Sequence, residues 1–97
     1  MIKHIVCFKL KDNSEKACRM AKETLMSMKD HVSLIKDINV GIDFLHSERS
    51  YDLILEVLLE SKEALDEYQK DPYHCDVVKS YMHKVRETSV AVDYIIE

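Results

Sequence analysis

The stretch Leu65-Asp66-Glu67-Tyr68-Gln69-Lys70-Asp71-Pro72-Tyr73-His74-Cys75-Asp76-Val77-Val78 holds the only proline of the chain, set between two helical patterns. Pro72 disfavours helical geometry at Asp71, so the helix carrying Leu65 and Tyr68 is expected to stop near Lys70. A new helix can start at once, with Asp71 as N-cap and Pro72 in the first helical position, where a missing N–H costs nothing. The bend brings a phenol and an imidazole close together, and a candidate active site is placed here.

Outward from the bend, Ser61 caps the helix that ends near Lys70, with Glu63 in the first turn where the helix dipole favours an anion. Beyond the bend, Val77, Val78, Tyr81, Met82 and Val85 mark a third helix. Val90, Val92, Tyr94 and Ile96 then alternate as a last strand. On the N-terminal side, Tyr51, Leu53, Leu55, Val57 and Leu59 share one face of a strand whose other face carries Asp52, Ile54, Glu56 and Leu58. A polar turn at residues 46–50 separates it from a half-buried strand with Ile38, Val40, Ile42 and Phe44. Ala17, Met20, Ala21, Leu25, Met28 and Val32 recur at helical spacing, which predicts a first helix from about Ser14 to Asp30, with Asp12 and Glu15 at capping-box spacing. Ile2, His4, Val6, Phe8 and Leu10 form one face of the opening strand.

The order is βαββαβ, an α+β chain of ferredoxin-like type. Right-handed crossovers put the first and last strands side by side in one antiparallel sheet, with the helices on a single face. The other face keeps Ile5, Cys7, Ile54 and Leu58 among polar residues, too much apolar area to leave wet. A twofold partner covering it with the same face is the economical solution, so a homodimer through the sheet face is expected.

Composition narrows the function classes. At 97 residues, 46% hydrophobic and 33% charged, the chain reads as one soluble domain. A net charge of −4 argues against nucleic acid, since Lys79, Lys84 and Arg86 form only a thin basic patch. The apolar runs are too short to cross a bilayer, and Lys3 and His4 enter strand-like sequence without the order of a signal peptide. Cys7, Cys18 and Cys75 are odd in number and widely spaced, which fits a reducing compartment, so a cytoplasmic protein is expected.

His74 is the first candidate for chemistry. On the first turn of the third helix, in line with Val77, Val78 and Tyr81, it should face the sheet. An imidazole with an ordinary pKa of about 6.5 suits proton transfer near neutrality. A core histidine that hydrogen-bonds a carbonyl and locks the bend fits the same position. Tyr68, six residues earlier on the apolar stripe, should be buried with a hydroxyl in need of a partner. His4 shares its strand face with Val6 and Phe8 and could line one pocket with His74. His31, His46 and His83 read as loop or surface residues. No carboxylate or thiolate stands beside His4 or His74 at ligand spacing, so no metal is expected. Cys75 lies near a helix N-terminus but has no resolving cysteine nearby. No phosphate loop, nucleophile elbow or dinucleotide fingerprint is present, and no cofactor is expected.

The opening Ile2-Lys3-His4-Ile5-Val6-Cys7-Phe8-Lys9-Leu10-Lys11-Asp12, the run Ser50-Tyr51-Asp52-Leu53-Ile54-Leu55, the segment Tyr68 to His74 and the closing Val92-Asp93-Tyr94 resemble the stress-responsive A/B barrel (Dabb) family. The resemblance covers nearly the whole chain and implies a ferredoxin-like subunit pairing into a dimeric α/β barrel. It also implies a site between sheet and helices, lined by His4, Val6, Phe8, Leu53, Leu55 and Tyr81. Plant members are linked to stress tolerance, and one is a cofactor-free polyketide cyclase whose acid/base tyrosine and histidine match Tyr68 and His74. This sequence departs from that cyclase at Leu53 and Leu25, where the cyclase has a pocket histidine and a pocket tyrosine. The preferred expectation is a homodimeric stress-response module that binds a small apolar molecule or serves a structural stress role. The alternative is a cofactor-independent cyclase, isomerase or lyase, or a related monooxygenase, with His74 as general base and Tyr68 as acid or orienting group.

Overall fold

In the computed structural model, which describes residues 1–97, the alternating stretch Ile2–Leu10 forms strand β1 with Ile2, His4, Phe8 and Leu10 buried. Helices α1 (Glu15–Met26) and α2 (Met28–His31) follow, then strands β2 (Asp37–Ile42) and β3 (Leu53–Leu59). Helix α3 (Lys62–Lys70), a π-helical segment (His74–Lys79), helix α4 (Ser80–Val85) and strand β4 (Arg86–Ile95) complete the chain. The four strands form one antiparallel sheet in the order β2-β3-β1-β4, a ferredoxin-like arrangement with β1 and β4 adjacent.

All helices lie on one face of the sheet. Leu53, Leu55, Val57 and Leu59 of β3 and Ile38 and Val40 of β2 bury against Leu25, Met28, Tyr68, Val78 and Met82 of the helical layer. The opposite face keeps Ile5, Cys7, Ile54 and Leu58 half exposed. Strand β4 adds Val90, Val92 and Tyr94 to it, paired with Cys7, Ile5 and Lys3 of β1. Val92 is 61% exposed, so the chain alone leaves an apolar stripe in water.

Several boundaries differ from expectation for local reasons. The first helix is capped by Ser14, whose Oγ accepts the Ala17 N–H at 3.2 Å, and Asp12 instead accepts the N–H of Ser14. That helix breaks at Ser27, whose hydroxyl donates to the Thr24 carbonyl and meets the Tyr73 hydroxyl at 2.7 Å. Strand β2 stops at Ile42, leaving Phe44 exposed beyond it. Strand β4 starts at Arg86 and not at Val90, because the whole of β1 is available as a partner and pairing overrides the weak strand propensity of Arg86-Glu87-Thr88-Ser89.

Strand β3 begins at Leu53, two residues after Tyr51, and the difference matters for the sheet. The Asp52 backbone N–H donates to the Phe8 carbonyl at 2.8 Å. Its buried carboxylate accepts the Leu10 N–H at 2.7 Å and the Asn13 side-chain amide at 3.4 Å. Asp52 thus completes the ladder where β1 ends, a role that period-two reading assigned to the solvent side. Replacing it orphans a buried N–H, which costs about 1–3 kcal/mol. Asp52→Ala is therefore expected to lower stability by about 2 kcal/mol in urea unfolding, with Asp52→Asn, which keeps an acceptor, losing less.

Candidate active site: a cavity lined by two histidines

Pro72 sets the geometry of the site. In a continuous helix the carbonyl of Tyr68 would accept the N–H of residue 72, which proline lacks. The His74 side chain supplies the missing donor: its Nδ1 lies 3.0 Å from the Tyr68 carbonyl oxygen, which the Asp71 N–H also approaches at 3.2 Å. Cys75 acts likewise one residue on, with Sγ donating to the Gln69 carbonyl at 3.1 Å. Asp71 caps the new helix, its carboxylate accepting the His74 N–H at 3.1 Å. Because a carbonyl can only accept, the His74 ring proton sits on Nδ1 and the Nε2 lone pair is free.

His4 is fixed in the same sense from the other side. Its register partner across the β1–β4 ladder is Asp93, and His4 Nδ1 is hydrogen-bonded to the Asp93 carboxylate. His4 is 6% exposed and His74 7%. Neither Nε2 has a protein partner, yet no buried side-chain polar atom is left without one, so both Nε2 atoms reach open space. That space is a cavity of about 230 Å³ between β1, β4 and the helices. Val6, Phe8, Leu25, Leu55, Val78, Met82 and Ala91 form its apolar wall, and Gln69, Lys79, His83, Arg86 and Ser89 its polar rim.

Tyr68 lies beneath this site and does not line it. It is fully buried, its hydroxyl donating to Met28 Sδ at 3.6 Å. Its ring stacks on His74 with centroids 4.2 Å apart and meets His4 edge-on at 5.6 Å. Burial raises its pKa far above the ordinary phenol value, with the nearby Asp71 charge adding to the shift. Among the other residues expected at the site, the structure brings His4, Val6, Phe8, Leu55 and His74 together around the cavity. Leu53 is buried in the core elsewhere, and Tyr81 is half-buried outside the cavity wall.

The π-helical segment accounts for Tyr81. Its hydrogen bonds run from residue i to i+5, so one extra residue enters the turn and every later side chain is displaced by one position. Met82, and not Tyr81, then follows Val78 onto the buried face, while Val77 is turned outward at 44% exposure. Asp93 went unrecognised in the sequence, although strand parity contains it: with Val90, Val92 and Tyr94 on one face, residue 93 belongs to the other. No trio of His, Cys, Asp or Glu side chains converges anywhere at metal-binding spacing.

Burial holds the His74 pKa below the ordinary histidine value, helped by the charges of Lys79 and His4 and opposed by the Tyr68 carbonyl and Asp71. The native imidazole is therefore the neutral, proton-accepting form near neutrality. A one-sheet α+β chain with its helices on one side of the sheet falls in the ferredoxin-like class of folds. The chain belongs to the stress responsive A/B barrel domain family, whose model matches residues 2–96. A search of curated proteins returns no significant match. A solved Arabidopsis thaliana protein is 22% identical over 100% of this chain and 96% of its own, with a TM-score of 0.86. A dimeric ferredoxin-like protein of unknown function from Bacteroides fragilis is 24% identical over 98% and 95%, with a TM-score of 0.82. The hydroxynitrile lyase of Passiflora edulis is 18% identical over 99% and 93%, also at 0.82.

The depressed pKa of His74 has a consequence for stability. Below the unfolded value of about 6.5, the unfolded chain binds a proton that native His74 does not, so stability is lost as pH falls through that value toward the lower native pKa. Tm is expected to drop as pH falls below about 6.5, and His74→Phe, which keeps the ring stack without the titration, should flatten that part of the profile.

Proposed function

We propose that the chain is a homodimeric module that binds a small, largely apolar molecule in the cavity between sheet and helices. The observation that carries this is the pairing of an apolar wall with two imidazole Nε2 atoms that have no protein partner. Pockets of this make-up, apolar with a few convergent polar groups, are the usual form of small-molecule sites. Size restricts the ligand. An apolar cavity of about 150 Å³ holds benzene, so 230 Å³ suits a single ring with a short substituent. Tyr68 acts as the orienting platform, through its carbonyl and its ring.

The dimer is supported by the apolar stripe of Ile5, Cys7, Ile54, Val90 and Val92 on the open face, and by the dimeric state of the Bacteroides fragilis neighbour. No helix is long and apolar enough to cross a membrane. Three free cysteines fit a reducing compartment such as the cytoplasm.

A second reading is favoured by the matched tautomers of the two histidines. A bound C–H or O–H acid could give its proton to His74 Nε2, forming an imidazolium beside the anion produced, while His4 Nε2, its ring held by Asp93, accepts a hydrogen bond from a substrate hydroxyl. This is cofactor-independent chemistry of the cyclase, isomerase or lyase kind, and the Passiflora neighbour is a lyase on the same fold.

A thermal-shift screen of monocyclic aromatics and lactones tests the site. Ligands that raise Tm of the native protein should fail with Ala91→Phe, which fills the cavity from an exposed edge strand, and should weaken with His74→Ala. Tyr68→Phe should retain them, because its hydroxyl points to Met28. Equal stabilisation of Ala91→Phe and the native protein would rule the cavity out. For the dimer, Val92→Glu puts a charge in the open-face stripe, and sedimentation should show a monomer with a lowered Tm.

A further inference from the structure

Two departures from regular backbone bound the mouth of the cavity, and each brings a cation to it. In the π-helical segment His74–Lys79, bonds from i to i+5 stack residues five apart. His74 and Lys79 therefore share a face, whereas an α-helix would separate them by about 140°. The second departure is a bulge in the β1–β4 ladder. Lys9 pairs with Thr88, but Leu10 pairs with Arg86, so Glu87 is the extra residue. Without the bulge, Glu87 would stand opposite Leu10 on the helix-facing side. With it, Arg86 takes that place and lines the cavity, while Glu87 is exposed and does not. Bulges commonly re-aim a side chain beside a functional site.

The electrostatic setting makes these two positions unusual. The chain carries 18 acidic and 14 basic residues, yet no acidic side chain lines this cavity. Lys79 and Arg86 are half-buried, and neither takes part in a salt bridge or a side-chain hydrogen bond. The ion pairs of the structure are Arg19–Glu15 and Lys36–Glu60, and the histidine–carboxylate contacts are His4–Asp93 and His46–Asp43. Two half-buried cations without a salt-bridge partner, beside an apolar wall, suit an anion. The exposed His83 adds a third nitrogen donor at the same rim.

The geometry points to a small apolar carboxylate as the ligand class: ring or chain in the cavity, carboxylate at the mouth between Lys79 and Arg86, and the inner end toward His4 and His74. This rests on the small-molecule reading of the cavity and adds the charge and orientation of what enters it. The planar guanidinium of Arg86 matches a carboxylate in two-point fashion, and Lys79 contributes a point charge.

The test compares 4-methylbenzoate with its neutral isostere 4-methylbenzamide, by amide chemical-shift titration of the full chain. At low salt the acid should bind roughly tenfold tighter or better than the amide, with the largest shifts around Lys79, Arg86 and Ala91. High salt should shrink the difference. Lys79→Met and Arg86→Met should each reduce the preference, and the double variant should abolish it, while the amide, which loses at most a neutral hydrogen bond, still binds and so reports an intact cavity. Equal affinity of acid and amide for the native protein would overturn the carboxylate and leave the small-molecule site standing. Survival of the preference in the double variant would also overturn it. Failure of both compounds to bind would overturn the carboxylate and the reading beneath it.

Discussion

A proline cannot donate, and at residue 72 this one absence organises the helical layer. The carbonyl of Tyr68 loses its regular partner, and the imidazole of His74 replaces it at 3.0 Å. The Asp71 N–H also reaches this carbonyl, at 3.2 Å, so the oxygen is shared between a backbone donor and the shorter imidazole bond, which is worth about 1 kcal/mol net. From it follow the tautomer of His74, the stacking of its ring on Tyr68, and the direction of Nε2 into the cavity. The same residue that ends one helix thus fixes the protonation state of the candidate base at the start of the next.

The inner half of the cavity was legible in sequence because it rests on regular periods. Alternation in β1 places His4, Val6 and Phe8 together, and alternation in β3 adds Leu55. The ferredoxin-like order follows from the same periods and the crossover rule. The outer half was not legible, because it is built by irregularities. Neither the extra residue in the π-helical turn nor the bulge at Glu87 has a signature in residue type, and each moves its neighbours by one position. Tyr81 and Met82 are both apolar enough for the buried face, so pattern alone cannot choose between them. Asp52 reads as a polar residue on a strand, and only the ending of β1 beside it turns its carboxylate inward.

The balance of polar and apolar groups in the site also divides along these lines. The two histidines are satisfied internally at Nδ1 and open at Nε2, whereas Lys79 and Arg86 at the rim carry charge with no partner inside the chain. Orientation within and attraction at the mouth are thus separate tasks, and the π-helical segment contributes to both, with His74 at one end and Lys79 at the other.

The pairing of His4 with Asp93 joins residues 89 positions apart. Most of β4 is exposed, it forms an edge of the sheet, and it docks on the strand laid down first. Contacts of such long sequence separation carry the entropy cost of closing the intervening chain. Edge elements with little burial are also the first to open in native-state fluctuations. The second histidine is thereby oriented only while the last strand is docked on the first, so the geometry of the site depends on the two ends of the chain being held together.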